Sequence, residues 1–189
     1  MAKYAALLRG VNVGGHGTIA MTDLRRVLES LGHTEVSTYL QSGNAVVSSD
    51  DDDPERIGRR IEEGLERDLG LRPSVLIRTG AELATVIAGN PFPQAAIEQP
   101  KLLHVAFLSA PPDPELAAAI DPGICPPDEF GIGDRAVYLR YAVSSGRSKL
   151  ADLVLRQLLR GRPEVTVTAR NWNTVEALAA KLASPSASA

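Results

Sequence analysis

The sequence predicts an α+β protein of two ferredoxin-like halves with antiparallel sheets, each read as β-α-β-β-α-β, plus a linker helix and an added C-terminal helix. Three observations predict it. Strand-length apolar runs alternate with segments of helical period. A glycine-containing turn joins two consecutive strand-like runs in each part of the chain. The same order of elements also occurs twice, although the repeat is one of topology with no convincing residue-level identity.

Residues 4–8 (Tyr-Ala-Ala-Leu-Leu) read as a buried strand that breaks into a glycine-rich loop, Arg9-Gly-Val-Asn-Val-Gly-Gly-His-Gly17. Thr22 reads as an N-cap, Leu24, Val27, Leu28 and Leu31 recur at helical spacing, and Gly32 closes the helix. Residues 35–40 and 45–49 read as a hairpin about Gln41-Ser-Gly-Asn44, where glycine and asparagine tolerate positive φ. Asp53-Pro54-Glu55 is an N-cap with proline at the first helical position, and Ile57, Ile61, Leu65 and Leu69 mark an inner face. Residues 74–77 supply a fourth strand.

Thr79-Gly-Ala-Glu82 is a capping box that opens the linker helix, and Asn90-Pro91 ends it. Pro91, Pro93 and Pro100 then mark a boundary. The chain accordingly divides into half one (1–79), a helical, proline-rich linker (80–100) and half two with its extra helix (101–189). In half two, 102–108 reads as a strand, 114–120 as a short helix, 129–132 and 136–141 as a hairpin about Gly133-Asp134, 148–159 as a helix and 165–168 as a strand. The added helix starts near Asn173, with Val175, Leu178, Ala179 and Leu182 on its apolar face and an uncommitted tail from Ser184.

Composition bounds the function. With 44% apolar and 23% charged residues the chain is globular, and 189 residues suffice for two modest cores. A net charge of −3 lacks the basic footprint of a protein that lives on nucleic-acid phosphates, so nucleic acid is an unlikely partner. Cys125 stands alone, which rules out an intrachain disulfide and a thiolate zinc site. No signal-like or membrane-spanning run is present, which places the protein in the cytoplasm, off the membrane. The oligomeric state leaves no trace in the sequence.

Several motifs occur in a fixed order: Leu7-Leu-Arg-Gly-Val-Asn-Val-Gly-Gly15, Met21, Thr38-Tyr-Leu-Gln-Ser-Gly-Asn44, Arg147-Ser-Lys-Leu150 and Thr168-Ala-Arg-Asn-Trp-Asn-Thr174. Together they resemble the domain-of-unknown-function 1697 family, from the first strand to the last helix. The resemblance implies a bacterial protein with a duplicated ferredoxin-like fold, and it implies no activity. Family members typically carry lysine after the double glycine, where His16 stands in this chain.

The loop from Gly10 to Gly17 is the best candidate for chemistry, because glycines after a strand let backbone N–H groups approach an anion. Its glycine spacing is that of a phosphate loop, yet His16-Gly17 replaces the lysine and hydroxyl residue that a nucleoside triphosphatase needs. A tight turn alone also accounts for the glycines. Topology places polar groups together, since a strand antiparallel to its neighbours ends where their hairpin turns. Arg9, Asn12, Gly14 and Gly15 then sit with Gln41, Ser42 and Asn44, and Arg147 and Lys149 share an edge with Arg170, Asn171 and Trp172. The expectation is that the halves bring these two clusters together around a ligand in a cleft.

Other motifs read as structure. Asn173 with Glu176 is an N-cap pattern in which Trp172 packs as a staple. Asp50-Asp-Asp-Asp53 lacks a calcium-loop pattern, and His16, His33 and His104 lack zinc spacing, so no metal site is read. No nucleophile elbow or other catalytic motif occurs, and no cofactor is called for. The leading expectation is a module that binds a small anionic or phosphate-bearing ligand, a nucleotide among the candidates. An enzyme of unrecognised type acting on a phosphoester would need a general base, and the clusters offer only His16. An RNA-binding or protein-interaction module ranks third, since residues 45–49 expose no aromatic stacking platform.

Overall fold

A computed structural model describes residues 1–12 and 17–184. The chain is α+β, with two four-stranded antiparallel sheets and seven α-helices among those residues. By contacts it divides into one unit of Met1–Ala84 with Ala177–Ala189 and a second of Thr85–Glu176.

Unit one is built from β1 (Ala2–Leu8), α1 (Met21–Ser30), β2 (Thr34–Thr38), β3 (Asn44–Ser49), α2 (Pro54–Leu69) and β4 (Val75–Thr79), and the strands are ordered β2-β3-β1-β4. The central strand β1 pairs with β3 through Tyr4↔Val47 and with β4 through Leu8↔Val75. Tyr4, Ala6, Leu8, Val47 and Ile77 meet Leu24, Leu28, Ile57, Ile61 and Leu65 of the helices in one core. Burying each large apolar side chain of that stripe stabilises the unit by about 1.5–3 kcal/mol. Asp53 caps α2 as its sequence indicates, accepting from Glu55 N at 2.9 Å and Arg56 N at 3.2 Å, and Gly70 closes it at φ 67°.

The start of α1 differs from expectation. The helix begins at Met21 with Ala20 at its N-cap and no side-chain cap, so Thr22 lies inside the first turn. The chain entering the helix is held instead by Asn12, far upstream. β2 ends at Thr38, before Leu40 turns into the left-handed region at φ 57°.

Next come α3 (Gly80–Ala88) and α4 (Pro93–Glu98). The capping box before α3 is formed, with Glu82 N donating to Thr79 Oγ1 at 3.1 Å and Thr79 N to Glu82 Oε2 at 2.8 Å. The contact division falls within α3, between Ala84 and Thr85. Pro93 opens a helix because its missing N–H costs nothing at the first turn. Pro91 packs on the second sheet so closely that a Cβ at Gly131 would fall 2.6 Å from its Cγ.

Unit two contains β5 (Leu103–Leu108), α5 (Pro114–Ala118), β6 (Glu129–Ile132), β7 (Ala136–Arg140), α6 (Leu150–Leu158) and β8 (Val167–Asn171), and the strands are ordered β6-β7-β5-β8. Ala106, Leu108, Val137, Leu139, Leu150, Val154 and Leu158 form its core. β8 starts and ends later than the 165–168 read from the sequence, because its ladder with β5 continues to His104↔Asn171. The last helix, α7 (Trp172–Ala183), ends in unit one, where Lys3 Nζ donates to Ser184 O at 2.9 Å.

Candidate functional site

The end of β1 is fixed on both sides. Leu8 N donates to Gly43 O at 2.9 Å, and Arg9 N donates to Ser74 O at 2.8 Å. The chain then turns through Gly10 at φ 68° and Asn12 at φ 57°. Left-handed backbone suits glycine and, among the other residues, asparagine best.

Asn12 uses its whole amide. Its Oδ1 accepts from Ile19 N at 2.9 Å, while Nδ2 donates to Ile19 O at 2.9 Å and to Gln41 O at 2.7 Å. This one side chain ties the two ends of the glycine-rich loop to each other and to the β2–β3 turn. In that turn, buried Asn44 donates through Nδ2 to Tyr39 O at 3.1 Å and to Ser42 Oγ at 3.0 Å. Arg9, Asn12, Gln41, Ser42 and Asn44 therefore lie at one edge of the sheet, but with different duties. The Asn12 and Asn44 amides are spent on the fold, whereas Arg9 is exposed. Gly14, Gly15 and His16 lie outside the described residues.

Beside this edge is an open groove of about 200 Å³. Arg9, Gly10 and Gly17 form one side, and Leu71, Arg72 and Pro73, which precede β4, form the other. Val11 and Ile19, 3% and 2% exposed, make the floor. Arg72 pairs with Glu66 at 3.0 Å, and both side chains are about half exposed. Among the described residues no carboxylate pairs with Arg9. The groove thus combines an apolar floor, two glycines without side chains and two guanidinium groups, a set that suits an anion.

The second cluster is divided by burial. Arg147, in a short 3-10 turn (Ser145–Arg147), and Lys149 are exposed. The loop that carries them is pinned by Asp128, which accepts from Ala142 N at 2.7 Å and from Ser148 Oγ at 2.5 Å. Arg170 and Trp172 are not on that surface, being 8% and 2% exposed. Arg170 lies in β8, on the sheet face opposite the core helices, and donates to Thr168 Oγ1 at 2.8 Å and Ala169 O at 2.7 Å. Burial pulls its pKa down to about 10, which leaves it charged at neutral pH. Asn171, not Asn173, caps α7, and its Oδ1 accepts from Thr174 N at 3.0 Å and Thr174 Oγ1 at 2.9 Å. Trp172 is consequently the first residue of the helix and not a staple before it.

Three further titratable groups are held by their surroundings in the fold. Asp51 forms a two-pronged bond to Arg56, with both contacts at 2.6 Å, which holds its carboxyl well below the usual range. His104 sits edge-on to Tyr141, with ring centroids 5.2 Å apart, and burial lowers its pKa. Burial, with the nearby Asp128 charge, pushes the Tyr141 phenol up to about 12. Among the described residues no group of three or more His, Cys, Asp or Glu side chains could hold a metal ion. No helix among them is long and apolar enough to cross a membrane.

Leu71, Arg72 and Pro73 are the functional candidates that the sequence analysis missed. Comparison with known proteins gives two findings. The sequence model of a family described as protein of unknown function (DUF1697) matches residues 1–138. A conserved bacterial protein from Streptococcus pneumoniae has a similar structure, with a TM-score of 0.69 at 18% identity over 97% of this chain and 99% of that one. At that identity the likeness concerns the fold. No curated protein matches the chain significantly.

Proposed function

The chain belongs to the DUF1697 family, whose description assigns no activity, and we propose that this protein is a binding module for a small anionic, phosphate-bearing ligand held at the glycine-rich end of β1. The observation that carries the reading is the exposed Arg9 guanidinium beside Gly10 and Gly17 in the groove, without a carboxylate partner among the described residues. Binding is favoured over turnover because no histidine, and no carboxylate other than the Glu66 that pairs with Arg72, stands at the groove among those residues. Binding is also favoured over RNA recognition through a sheet face, since every residue of β3 is buried. The strand orders support a finer reading of the architecture as two ferredoxin-like units, each with its first strand central between its third and fourth. A lone cysteine suits the reducing cytoplasm, where we place the protein.

Titration with inorganic phosphate, followed by backbone amide NMR, tests the proposal. Saturable shifts at Gly10 and Gly17 that vanish in Arg9→Ala are expected. Shifts that fail to saturate, or that persist in the variant, would refute it.

A further inference from the structure

The groove has a shape as well as a charge, and the shape restricts what the anion is attached to. Its floor is formed by Val11 and Ile19, buried side chains that also belong to the core of unit one. Leu71 is half-buried against the same core, and Pro73 adds a rigid apolar wall. A site for inorganic phosphate alone has no use for such a lining. Water on these surfaces gains by leaving them when an apolar body takes its place.

Volume sets the size of that body. An apolar cavity of about 150 Å³ accepts benzene, whereas sites for drug-sized ligands run from about 300 to 1,000 Å³. At about 200 Å³ this groove covers one ring with a charged group attached, and the rest of a nucleotide would extend beyond its lining. The charges lie at the rim. Arg9 is exposed, and Arg72 is held by Glu66 in an exposed pair weak enough to exchange partners. The glycines let the anionic end approach the backbone, since nothing lies within 4 Å of where a Cβ would stand at Gly10 or Gly17.

Resting on the anion-site reading above, we infer that the ligand is a small amphipathic anion: a single ring-sized apolar body carrying one phosphate or carboxylate group, smaller than a nucleotide.

Three probes of matched charge separate the terms: inorganic phosphate, phenyl phosphate and adenosine monophosphate, titrated into the full chain by calorimetry near pH 8. Phenyl phosphate should bind about tenfold more tightly than inorganic phosphate, a modest share of the burial of one ring. Adenosine monophosphate should bind no better than inorganic phosphate. Leu71→Ala should erase most of the phenyl advantage. Equal affinity for phosphate and phenyl phosphate, both lost in Arg9→Ala, would overturn this inference and leave the anion site standing. Preference for the nucleotide would overturn it too. Absence of Arg9-dependent binding for every probe would remove the anion site itself.

Discussion

Gly43 and Gly70 offer a matched pair from which the energetic cost of the site's packing can be measured. Both lie in unit one and both adopt φ 67°. Nothing stands within 4 Å of a Cβ built on Gly70, which closes α2. A Cβ on Gly43 would lie 2.9 Å from Leu8 Cβ and 3.2 Å from Val11 Cβ. Neither neighbour can step into solvent, since Leu8 is 1% and Val11 3% exposed. An alanine in left-handed backbone costs about 1–2 kcal/mol, partly offset by a stiffer unfolded chain, so Gly70→Ala should lose about 1 kcal/mol. Gly43→Ala carries the same strain plus overpacking of about 1–3 kcal/mol, for a total of about 2–4 kcal/mol. Urea unfolding is followed by far-UV circular dichroism, which registers both units, and by the fluorescence of Trp172, which belongs to unit two, so that a loss confined to unit one shows as a difference between the two signals. An unchanged m-value would assign the difference to the native state. Losses equal within about 0.5 kcal/mol would refute the close approach of the hairpin turn to the end of β1.

The Asn12 amide should behave as a latch: Asn12→Ala removes three hydrogen bonds, strains the backbone at φ 57°, and should cost about 2–3 kcal/mol in urea unfolding. Glu66→Gln frees Arg72 from its exposed partner, so phosphate affinity should rise about two- to fivefold in calorimetry while stability moves by under about 1 kcal/mol. Burial holds the folded-state pKa of His104 below its ordinary value, so the unfolded chain takes a proton first as pH falls through about 6.5. Stability present above that pH should therefore be lost below it, and His104→Phe, which keeps a ring against Tyr141, should flatten the fall of the urea midpoint between about pH 7 and pH 5.5.

What the sequence showed plainly was whatever neighbouring residues decide among themselves. Asp53-Pro54 opens α2, and Thr79 and Glu82 bond across one turn, because each signal acts within a few positions. The prolines from Pro91 carry a double signal: the residue that breaks a helix interior also starts one well, and Pro93 starts α4. The burial of Arg170 and Trp172 was not legible because residue type alone does not announce it. An arginine in β8 takes whichever face the strand alternation assigns, and the strand extended three residues beyond its expected end. The cap of α7 shifted by the same slip, from Asn173 to Asn171.

The long-range ties explain the rest. Asn12 meets Ile19 and Gln41 only once β1 and β3 are paired, so no local pattern distinguishes it from any asparagine in a turn. Yet the rule that placed Arg9 beside Gln41 had a second half. A central strand antiparallel to two neighbours ends beside the residues that follow one pairing and also beside those that precede the other. β1 ends at Leu8↔Val75, so the residues just before β4 had to come alongside Arg9. Applied to both neighbours, the rule brings Leu71, Arg72 and Pro73 to the glycine-rich loop, with a second guanidinium and the apolar wall that turn an exposed arginine into a groove. The candidate site was therefore a consequence of strand order, and its chemistry follows from which residues happen to flank β4.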